Sequence, residues 1–313
     1  MADTAAIIAP GRSARERRTG AIALRSASEV EAIELAGAAV ASALEAAELA
    51  VRAGVTTRDV DAAVRSALRA AGAEAPFLGY PNPSGGMPFP AACCTSVGNE
   101  VVHGIPGDRV LRAGELVTID VGARIDGWCA DAAITVPVPG GAAADALAGF
   151  VADAWEVLHA GIALMQPGQR WSDVADRMQR LAVSRGHGMV DGWHGHGVGR
   201  DVHEAPNAPS VVSAGLRTDR DFTLMPGMVL AVEPILVMGA RGTIDACGNA
   251  VCVPTRVAAD GWTVEVADGL VAAHVEHTVA VTRRGPRILT RRAPARVTER
   301  HSTPNDGGRS LAG

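Results

Sequence analysis

The spacing of apolar residues predicts two helices in the first quarter of the chain. Ser28-Glu29-Val30-Glu31 has the form of a capping box, and the Ala-rich segment behind it predicts a helix to about Arg52. Thr57 is the predicted cap of a second helix that runs to about Ala71, with apolar residues recurring along one face. The chain therefore begins its periodic part with a helical pair.

Alternation of apolar and polar residues then replaces the helical spacing. Leu116–Val121 and Trp128–Val136 are predicted strands, and Asp126-Gly127 between them favours a tight two-residue turn. Pro137–Gly141 breaks the pattern. An antiparallel hairpin is the prediction for this region.

The second half repeats this order of elements. Helices are predicted at about Ala143–Leu164 and Trp171–Arg185, the latter capped by Ser172. Further strands are predicted near Met228–Val232, Thr263–Val266 and Val271–Val281. Because helices followed by strands occur twice, we predict one α+β domain of two similar halves.

Both ends of the chain lack such periodicity. Residues 1–26 mix Pro10 and Gly11 with five arginines, and we predict a flexible basic arm, either a free segment or a contact for ribosomal RNA. After Arg284 we predict a disordered basic tail over 285–313. Residues 27–284 form the predicted folded domain.

Composition narrows the functional classes. The 313 residues are 48% hydrophobic, which allows a full core, and the net charge of -5 argues against a general nucleic-acid binder. No lysine occurs, so neither a P-loop lysine nor a pyridoxal Schiff-base lysine is available. No segment has a secretory or membrane-spanning pattern, and five scattered cysteines without CxxC spacing indicate a reducing cytoplasm.

Two aspartates of the predicted hairpin are candidates for metal ligation. If Ile125 pairs with Trp128, then Gly122 pairs with Asp131, and Asp120 becomes a diagonal neighbour of Asp131 about 7–8 Å away. Both carboxylates then reach a pair of ions about 3.5–4 Å apart. A one-residue slip would separate them, and two exposed aspartates are the alternative interpretation.

Further candidates are two glutamates and a stretch of glycines and histidines. Glu233 and Glu276 lie in apolar strand contexts, where a buried carboxylate needs a partner and edge exposure is the alternative. Gly192–Pro206 contains three histidines among glycines. We interpret the glycines as clearance for a bound metal and a peptide close to the backbone. Oxygen donors with imidazoles indicate a dinuclear Mn, Co, Fe or Zn site. HExxH, GxGxxG and GxSxG motifs are absent.

Taken together, these motifs resemble the type I methionine aminopeptidases, members of the pita-bread family of dimetal hydrolases, over about residues 28–283. The motifs that carry the resemblance are Asn99–Pro106, Ile119-Asp120-Val121, Asp126–Asp131, Gly195–Arg200, Glu233-Pro234 and Glu276-His277-Thr278. The resemblance implies a pita-bread fold with pseudo-two-fold halves around a curved antiparallel sheet, and a catalytic domain over 27–284.

The resemblance also implies the ligand set. Asp120 would chelate one ion, His196 and Glu233 would hold the other, and Asp131 and Glu276 would bridge both. The ion pair would lower the pKa of a shared water, and Glu233 would serve as the general base.

Two further histidines and a pocket wall follow from the same resemblance. His103 and His203 match the family's non-ligand histidines, which would contact the substrate amide and steady the tetrahedral intermediate. The residues that match the wall of a methionine pocket are Phe77, Tyr80, Phe89, Cys94 and Trp262.

Four positions depart from the family pattern. Val202 stands where an aromatic residue is common, which predicts a wider or differently closed pocket. Gly98 precedes Asn99, and one residue is missing before His103. His194 stands where a cysteine is common, either as a packed or solvated histidine or as a support for a ligand.

The implied function is removal of the initiator methionine from nascent proteins and peptides that have a small second residue. The expected enzyme is a cytoplasmic monomer with two divalent ions (Co, Mn, Fe or Zn), without membrane or specific nucleic-acid partners, and transient ribosome contact is left open. One alternative is another pita-bread hydrolase, such as a prolidase or proline aminopeptidase, for whose large amino-terminal domain about 27 residues leave no room. The other is a non-catalytic binding protein on the same fold.

Overall fold

The computed structural model describes residues 22–213, 215–240, 243–244 and 250–292. Most of the predicted arm, residues 1–21, and the end of the predicted tail, residues 293–313, lie outside this range. Four α-helices are present in the described part, α1 (Ala27–Ala50), α2 (Thr57–Ala70), α3 (Ala144–Ala163) and α4 (Trp171–Ser184), together with one short π-helix (Leu216–Arg220). α1 packs on α2 and α3 packs on α4, as the two predicted helical pairs require.

The cap of α1 lies two residues earlier than predicted, at Ser26 rather than Ser28. The Ser26 hydroxyl accepts the Glu29 amide at 3.3 Å, and the Glu29 carboxylate accepts the Ser26 amide at 2.8 Å. Both ends of a capping box must bond at once, and Glu29 stands three positions after Ser26. The predicted box from Ser28 therefore lies inside the helix.

The caps of α2 and α4 also differ from the prediction. Thr56, not Thr57, caps α2, because Thr56 and Asp59 form a reciprocal capping box. Ser172 lies inside α4, where its hydroxyl donates to Asp221 at 2.7 Å instead of capping the helix. At Ser172, a side chain distant in sequence thus binds the hydroxyl that local spacing had predicted to cap the helix.

Sixteen strands lie in the described ranges. They are β1 (Cys94–Val97), β2 (Glu100–Val102), β3 (Leu116–Ile125), β4 (Trp128–Pro137), β5 (Gly188–Met189), β6 (Gly195–Gly197), β7 (Glu204–Ala208), β8 (Val229–Val232), β9 (Ile235–Val237), β10 (Thr243–Ile244), β11 (Ala250–Val251), β12 (Thr255–Val257), β13 (Val264–Val266), β14 (Ala272–His274), β15 (His277–Thr282) and β16 (Gly285–Ile288). The pairings between these strands are antiparallel, in the orders β1-β3-β4, β10-β11, β12-β13-β2, β14-β9-β5 and β16-β15-β8-β6-β7.

The hairpin of β3 and β4 has the predicted register. Ile125 pairs with Trp128 and Gly122 pairs with Asp131. The turn residues Asp126 and Gly127 have φ angles of 49° and 74°, the left-handed values that this kind of two-residue turn requires. The hairpin therefore presents its aspartates as the sequence predicted.

The predicted tail boundary at residue 285 is wrong. Residues Gly285–Ile288 form β16, which pairs with β15, and the next residue, Leu289, is buried. A side chain at Gly37 of α1 would collide with the Leu289 carbonyl, so this glycine lets the strand's end lie directly on the helix. Pro286 and the neighbouring arginines are not typical of a strand, so the local sequence did not predict β16, which tertiary contacts stabilise.

The last residues of the predicted arm are also held in place. The Arg25 amide donates to the Gly227 carbonyl at 2.7 Å, and its guanidinium pairs with the buried carboxylate of Glu204. Flexibility is therefore the wrong description for the residues just before α1.

One helix, α3, is long and apolar enough to cross a membrane by length and composition, a feature that the sequence prediction did not identify. Its apolar face, which includes Leu147, packs in the core of the second half. Its polar face carries Asp153 and Glu156, both ion-paired with Arg185. Packing against α4 and the sheet accounts for its apolar side chains.

Candidate metal centre

The hairpin brings Asp120 of β3 and Asp131 of β4 to one face. One carboxylate oxygen from each, together with one from Glu276, forms a set in which all three atoms lie within 4.8 Å of one another. Asp131 and Glu276 are 3% and 2% exposed, which excludes the alternative of aspartates and glutamates on an outer face. The hairpin register thus produces a buried carboxylate cluster.

The two glutamates meet because β8 and β15 are neighbours. His277 pairs with Val232, so Glu233 follows one strand where Glu276 precedes the other. The Glu276 amide donates to the Ala133 carbonyl at 3.0 Å, which ties this crossing to β4. Both carboxylates are therefore placed by backbone contacts.

His196 on β6 completes the cluster. Its Nε2 lies 3.6 Å from Glu233 Oε1 and 4.0 Å from Asp131 Oδ2. Its Nδ1 lies 3.1 Å from the Gly197 carbonyl, which can only accept, so Nδ1 carries the proton and donates. Nε2 is consequently the nitrogen with a free lone pair, as a metal-ligating histidine requires.

The glycines around His196 serve the sheet rather than a ligand. A Cβ at Gly195 would collide with the Ala231 carbonyl, and one at Gly197 with the Ala205 carbonyl. At Gly199 the collision would be with the Arg25 guanidinium. These three glycines allow close approach of neighbouring backbone and side chains, whereas Gly192 has open space around it and lines the cavity, so the clearance for a metal and a peptide stays a prediction.

Burial without a cation is unfavourable for these charges. It raises the pKa of Asp120 to about 7 and that of Glu233 to about 8. It also raises the pKa values of Asp131 and Glu276 well above their usual range, with repulsion from the neighbouring carboxylates adding to the effect. Burial lowers the pKa of His196 to about 4, so the imidazole is neutral.

The donor set fits divalent cations. Within the described residues, three buried carboxylate oxygens have no hydrogen-bond partner: Asp120 Oδ1, Asp131 Oδ1 and Glu276 Oε1. Buried charges are normally paired or bound to metal. Carboxylate oxygens with one imidazole suit ions such as Mn, Fe, Co or Zn.

His103 and His203 lie beside the cluster. The His203 ring centre is 4.2 Å from that of His196, and its Nδ1 is 2.8 Å from the Tyr80 hydroxyl. His103 follows β2 with a φ of 59° and packs edge-on against Trp193. Burial lowers the pKa of His103 to about 4 and that of His203 well below its usual range.

One cavity is lined by all five side chains predicted for the pocket wall: Phe77, Tyr80, Phe89, Cys94 and Trp262. The cavity also borders His103, His196, His203 and Glu233. The metal cluster and the aromatic wall therefore face the same space.

The residues that depart from the family pattern lie in different parts of the structure. Val202 is buried in the core and is absent from the cavity lining. His194 lines the cavity, with Nδ1 3.9 Å from an Asp191 carboxylate oxygen. Gly98 has a φ of 71°, and its carbonyl accepts the Ala272 amide at 2.9 Å, which secures the β1–β2 turn.

His274 was missed in the sequence. It is 1% exposed, and its Nε2 lies 3.5 Å from Glu233 Oε2 and 3.8 Å from Glu276 Oε2. Burial lowers its pKa to about 3, so the ring is neutral. The signal was available, because His274 stands two residues before Glu276 in a strand context, where alternate residues share a face.

The chain belongs to metallopeptidase family M24, whose family model matches residues 31–283. "Methionine aminopeptidase 1" of Mycobacterium tuberculosis (strain CDC 1551 / Oshkosh) is 43% identical, over 88% of this chain and 98% of its own length. "Methionine aminopeptidase" of Aquifex aeolicus (strain VF5) is 38% identical, over 86% of this chain and 99% of its own length.

Solved structures agree with this classification. The methionine aminopeptidase structure from Thermotoga maritima superposes with a TM-score of 0.75 at 34% identity, over 87% of this chain and 100% of that one. The prolidase from Pyrococcus furiosus shares the fold, with a TM-score of 0.62 at 21% identity over 87% and 66% of the two chains. The chain is thus a pita-bread metallopeptidase, and the predicted resemblance to type I methionine aminopeptidases is confirmed.

Proposed function

We propose that the protein removes the initiator methionine from nascent proteins and peptides and prefers a small second residue. The observation that carries this proposal is one cavity that borders both Glu233 and His196 of the carboxylate–histidine cluster and an aromatic wall. The similarity to enzymes named methionine aminopeptidase over most of the chain supports it.

Two divalent ions of Mn, Co, Fe or Zn complete the proposed site. Asp120 would hold one ion, His196 and Glu233 the other, and Asp131 and Glu276 both. Such an ion pair supplies a water of lowered pKa as the nucleophile. The partnerless buried oxygens of three of these carboxylates support this assignment.

Glu233 is the proposed general base. It combines deep burial with a position on the cavity wall, where a carboxylate can accept a proton from water and return it to the leaving amine.

His103 and His203 are the proposed contacts for the scissile amide. Both rings are neutral near pH 7, so each offers one N–H and one acceptor nitrogen. Burial raises the pKa of the Tyr80 phenol, which stays protonated and lies 2.8 Å from His203 Nδ1, and we propose that it donates to this nitrogen. His203 then presents its Nε2–H, which can stabilise the negative oxygen of the tetrahedral intermediate.

The aromatic wall is the proposed binding surface for the methionine side chain. Phe89 and Trp262 meet edge to face with ring centres 5.2 Å apart, and Trp262 Nε1 donates to the Met87 carbonyl at 2.8 Å. A thioether makes favourable contacts with aromatic rings. The fixed rings would discriminate by shape.

We further propose a cytoplasmic, monomeric enzyme whose partners are polypeptides with an N-terminal methionine. Contact of the arginine-bearing ends with the ribosome stays a prediction, because residues 1–21 and 293–313 lie outside the described residues.

The deciding experiment is a peptide panel run across metals. Metal-free protein is loaded with Mn, Co, Fe or Zn and incubated with Met-Ala-Ser and with X-Pro peptides, beside Glu233→Gln as the control. Free methionine from Met-Ala-Ser, lost in the control, is the expected result. Absence of methionine with every ion contradicts the proposal, and preferred X-Pro cleavage supports a prolidase instead.

A further inference from the structure

His274 is a buried side chain that the proposed mechanism does not use. It ends β14, where it pairs with Ile235 of β9, and neither ring nitrogen has a hydrogen-bond partner among the described residues. Buried polar atoms are almost always satisfied, and leaving one unpaired is destabilising. The nearby acceptors are the carboxylates of Glu233 and Glu276, 3.5 and 3.8 Å from Nε2.

The backbone of His274 is fixed from the other half of the domain. The Thr135 hydroxyl accepts the His274 amide at 3.0 Å and donates to the His274 carbonyl at 2.7 Å. The Thr135 hydroxyl also lies 2.7 Å from the Thr118 hydroxyl. Thr118 is the donor in this bond, because the hydroxyl proton of Thr135 is already donated to the His274 carbonyl. The ring therefore projects toward the carboxylates from an anchored strand end.

The two oxygens of Glu233 face two different histidines. Oε1 lies 3.6 Å from the unprotonated Nε2 of His196, on the side of the ligand cluster. Oε2 lies 3.5 Å from Nε2 of His274. One carboxylate oxygen thus belongs to the metal centre, and the other faces a group that can donate a proton.

We propose that His274 is a positioning residue, whose Nε2–H donates to Glu233 Oε2 and so keeps Oε1 turned toward the metal centre. This inference rests on the proposed function. Among the described residues, His196 offers a ligand atom within 4.8 Å of one each from Glu233 and Glu276, whereas His274 belongs to no such group of three. An N–H that orients a ligating carboxylate typically changes metal affinity or activity 10–100-fold when it is lost.

The test compares His274→Leu with His274→Gln in the full chain. Leu removes the donor without leaving a polar group, whereas Gln retains an N–H at the side-chain end. His159→Leu on α3, outside the cavity, is the matched control. Each metal-free protein is titrated with Co²⁺ by calorimetry, the visible Co²⁺ absorption is recorded at saturation, and kcat and KM for Met-Ala-Ser are measured.

The expected result is a 10–100-fold weaker affinity for one Co²⁺ ion in His274→Leu, with unchanged stoichiometry and band positions at saturation. His274→Gln should recover most of the affinity and of kcat, with KM unchanged throughout. Wild-type affinity in both variants overturns the proposal. So does the loss of one binding event with displaced Co²⁺ bands, because His274 would then be a ligand.

The wild-type protein separates the two hypotheses. If it binds no Co²⁺ or releases no methionine, the proposed function fails and the inference falls with it. If it does both while the variants match it, only the positioning role is wrong. Where His274→Leu does not fold, as seen from its thermal midpoint without metal, His274→Gln must still bind Co²⁺ within a few-fold of wild type; a larger loss overturns the proposal.

Discussion

The Thr278 hydroxyl bonds both backbone groups of Asp131: it accepts the Asp131 amide at 2.9 Å and donates to the Asp131 carbonyl at 2.7 Å. Thr278 lies on β15 and Asp131 on β4, two strands that are not paired in any sheet. Thr135 of β4 makes the same pair of bonds to His274 of β14. Each half of the domain therefore uses a threonine to hold a site residue of the other half.

Substitution of Thr278 by Val should destabilise the protein. Val has the same shape but leaves the buried amide and carbonyl of Asp131 without these partners, at a cost of about 2 kcal/mol. Urea unfolding of the metal-free protein measures this effect. Thr282→Val is the control, because the half-buried Thr282 hydroxyl on the same strand bonds only groups of its own turn, the Arg284 amide and the Gly285 carbonyl, where water can replace it. Equal midpoints for the two variants would contradict the expectation.

Without metal, the protein should lose stability as pH rises. The pKa of Glu233 is about 8 in the folded protein, above its ordinary value of 4.5, and that of Asp120 is about 7. Folding thus favours the protonated forms of both side chains. Their contribution to the free energy of unfolding is full below about pH 4 and is lost between about pH 4 and 8.

The difference in unfolding free energy between wild type and Glu233→Gln isolates this contribution. In the presence of a chelator, the variant should become more stable relative to the wild type as pH rises through this window. Saturating Mn²⁺ should reverse the trend for the wild type, since deprotonated ligands bind the ion. If the difference in unfolding free energy does not vary with pH, burial does not raise the pKa of Glu233 and the prediction is wrong.

Substitution of Tyr80 by Phe should lower kcat. The variant keeps the ring against His203 but removes the hydroxyl 2.8 Å from Nδ1, which in the proposed function selects the tautomer with a proton on Nε2. Loss of one hydrogen bond of about 1 kcal/mol corresponds to a several-fold lower kcat, with little change in KM. Steady-state kinetics on Met-Ala-Ser measure both. A higher KM at unchanged kcat would assign Tyr80 to the pocket wall alone.

Substitution of Trp262 by Leu should reduce side-chain discrimination. Loss of the ring opens the wall opposite Phe89, and differences in pocket shape are worth about 1–3 kcal/mol between similar side chains. The ratio of kcat/KM for Met-Ala-Ser over Leu-Ala-Ser should fall about tenfold. Trp155→Leu, on α3 outside the cavity, should leave the ratio unchanged. The same ratio in both variants would remove Trp262 from the recognition of methionine.

Local sequence was sufficient for the hairpin half of the site. Asp126-Gly127 defines the turn, and strict alternation from there places Asp120 and Asp131 on one face. No such local rule connects Glu233 to Glu276. Their meeting depends on the pairing of β8 with β15, and only the family resemblance supplied that long-range contact.

Errors occurred where distant contacts override local pattern. Ser172 resembles a helix cap, but Asp221 takes its hydroxyl. Residues after Arg284 resemble a tail, but Gly37 of α1 makes room for the backbone of Leu289. His274 resembles an ordinary core position until the sheet places it between two glutamates. Asp221, Gly37 and Glu233 each lie more than 40 residues from the residue that they contact, beyond the reach of local spacing.

The distribution of ligands between the halves has a consequence for a divided chain. Asp120 and Asp131 precede the exposed Pro139–Gly141 connection, whereas His196, Glu233 and Glu276 follow it. A cut at this connection gives two fragments, neither of which contains a complete ligand set. Divalent cations would then couple reassembly of the fragments to recovery of peptidase activity, and the free metal concentration would set the fraction that recombines.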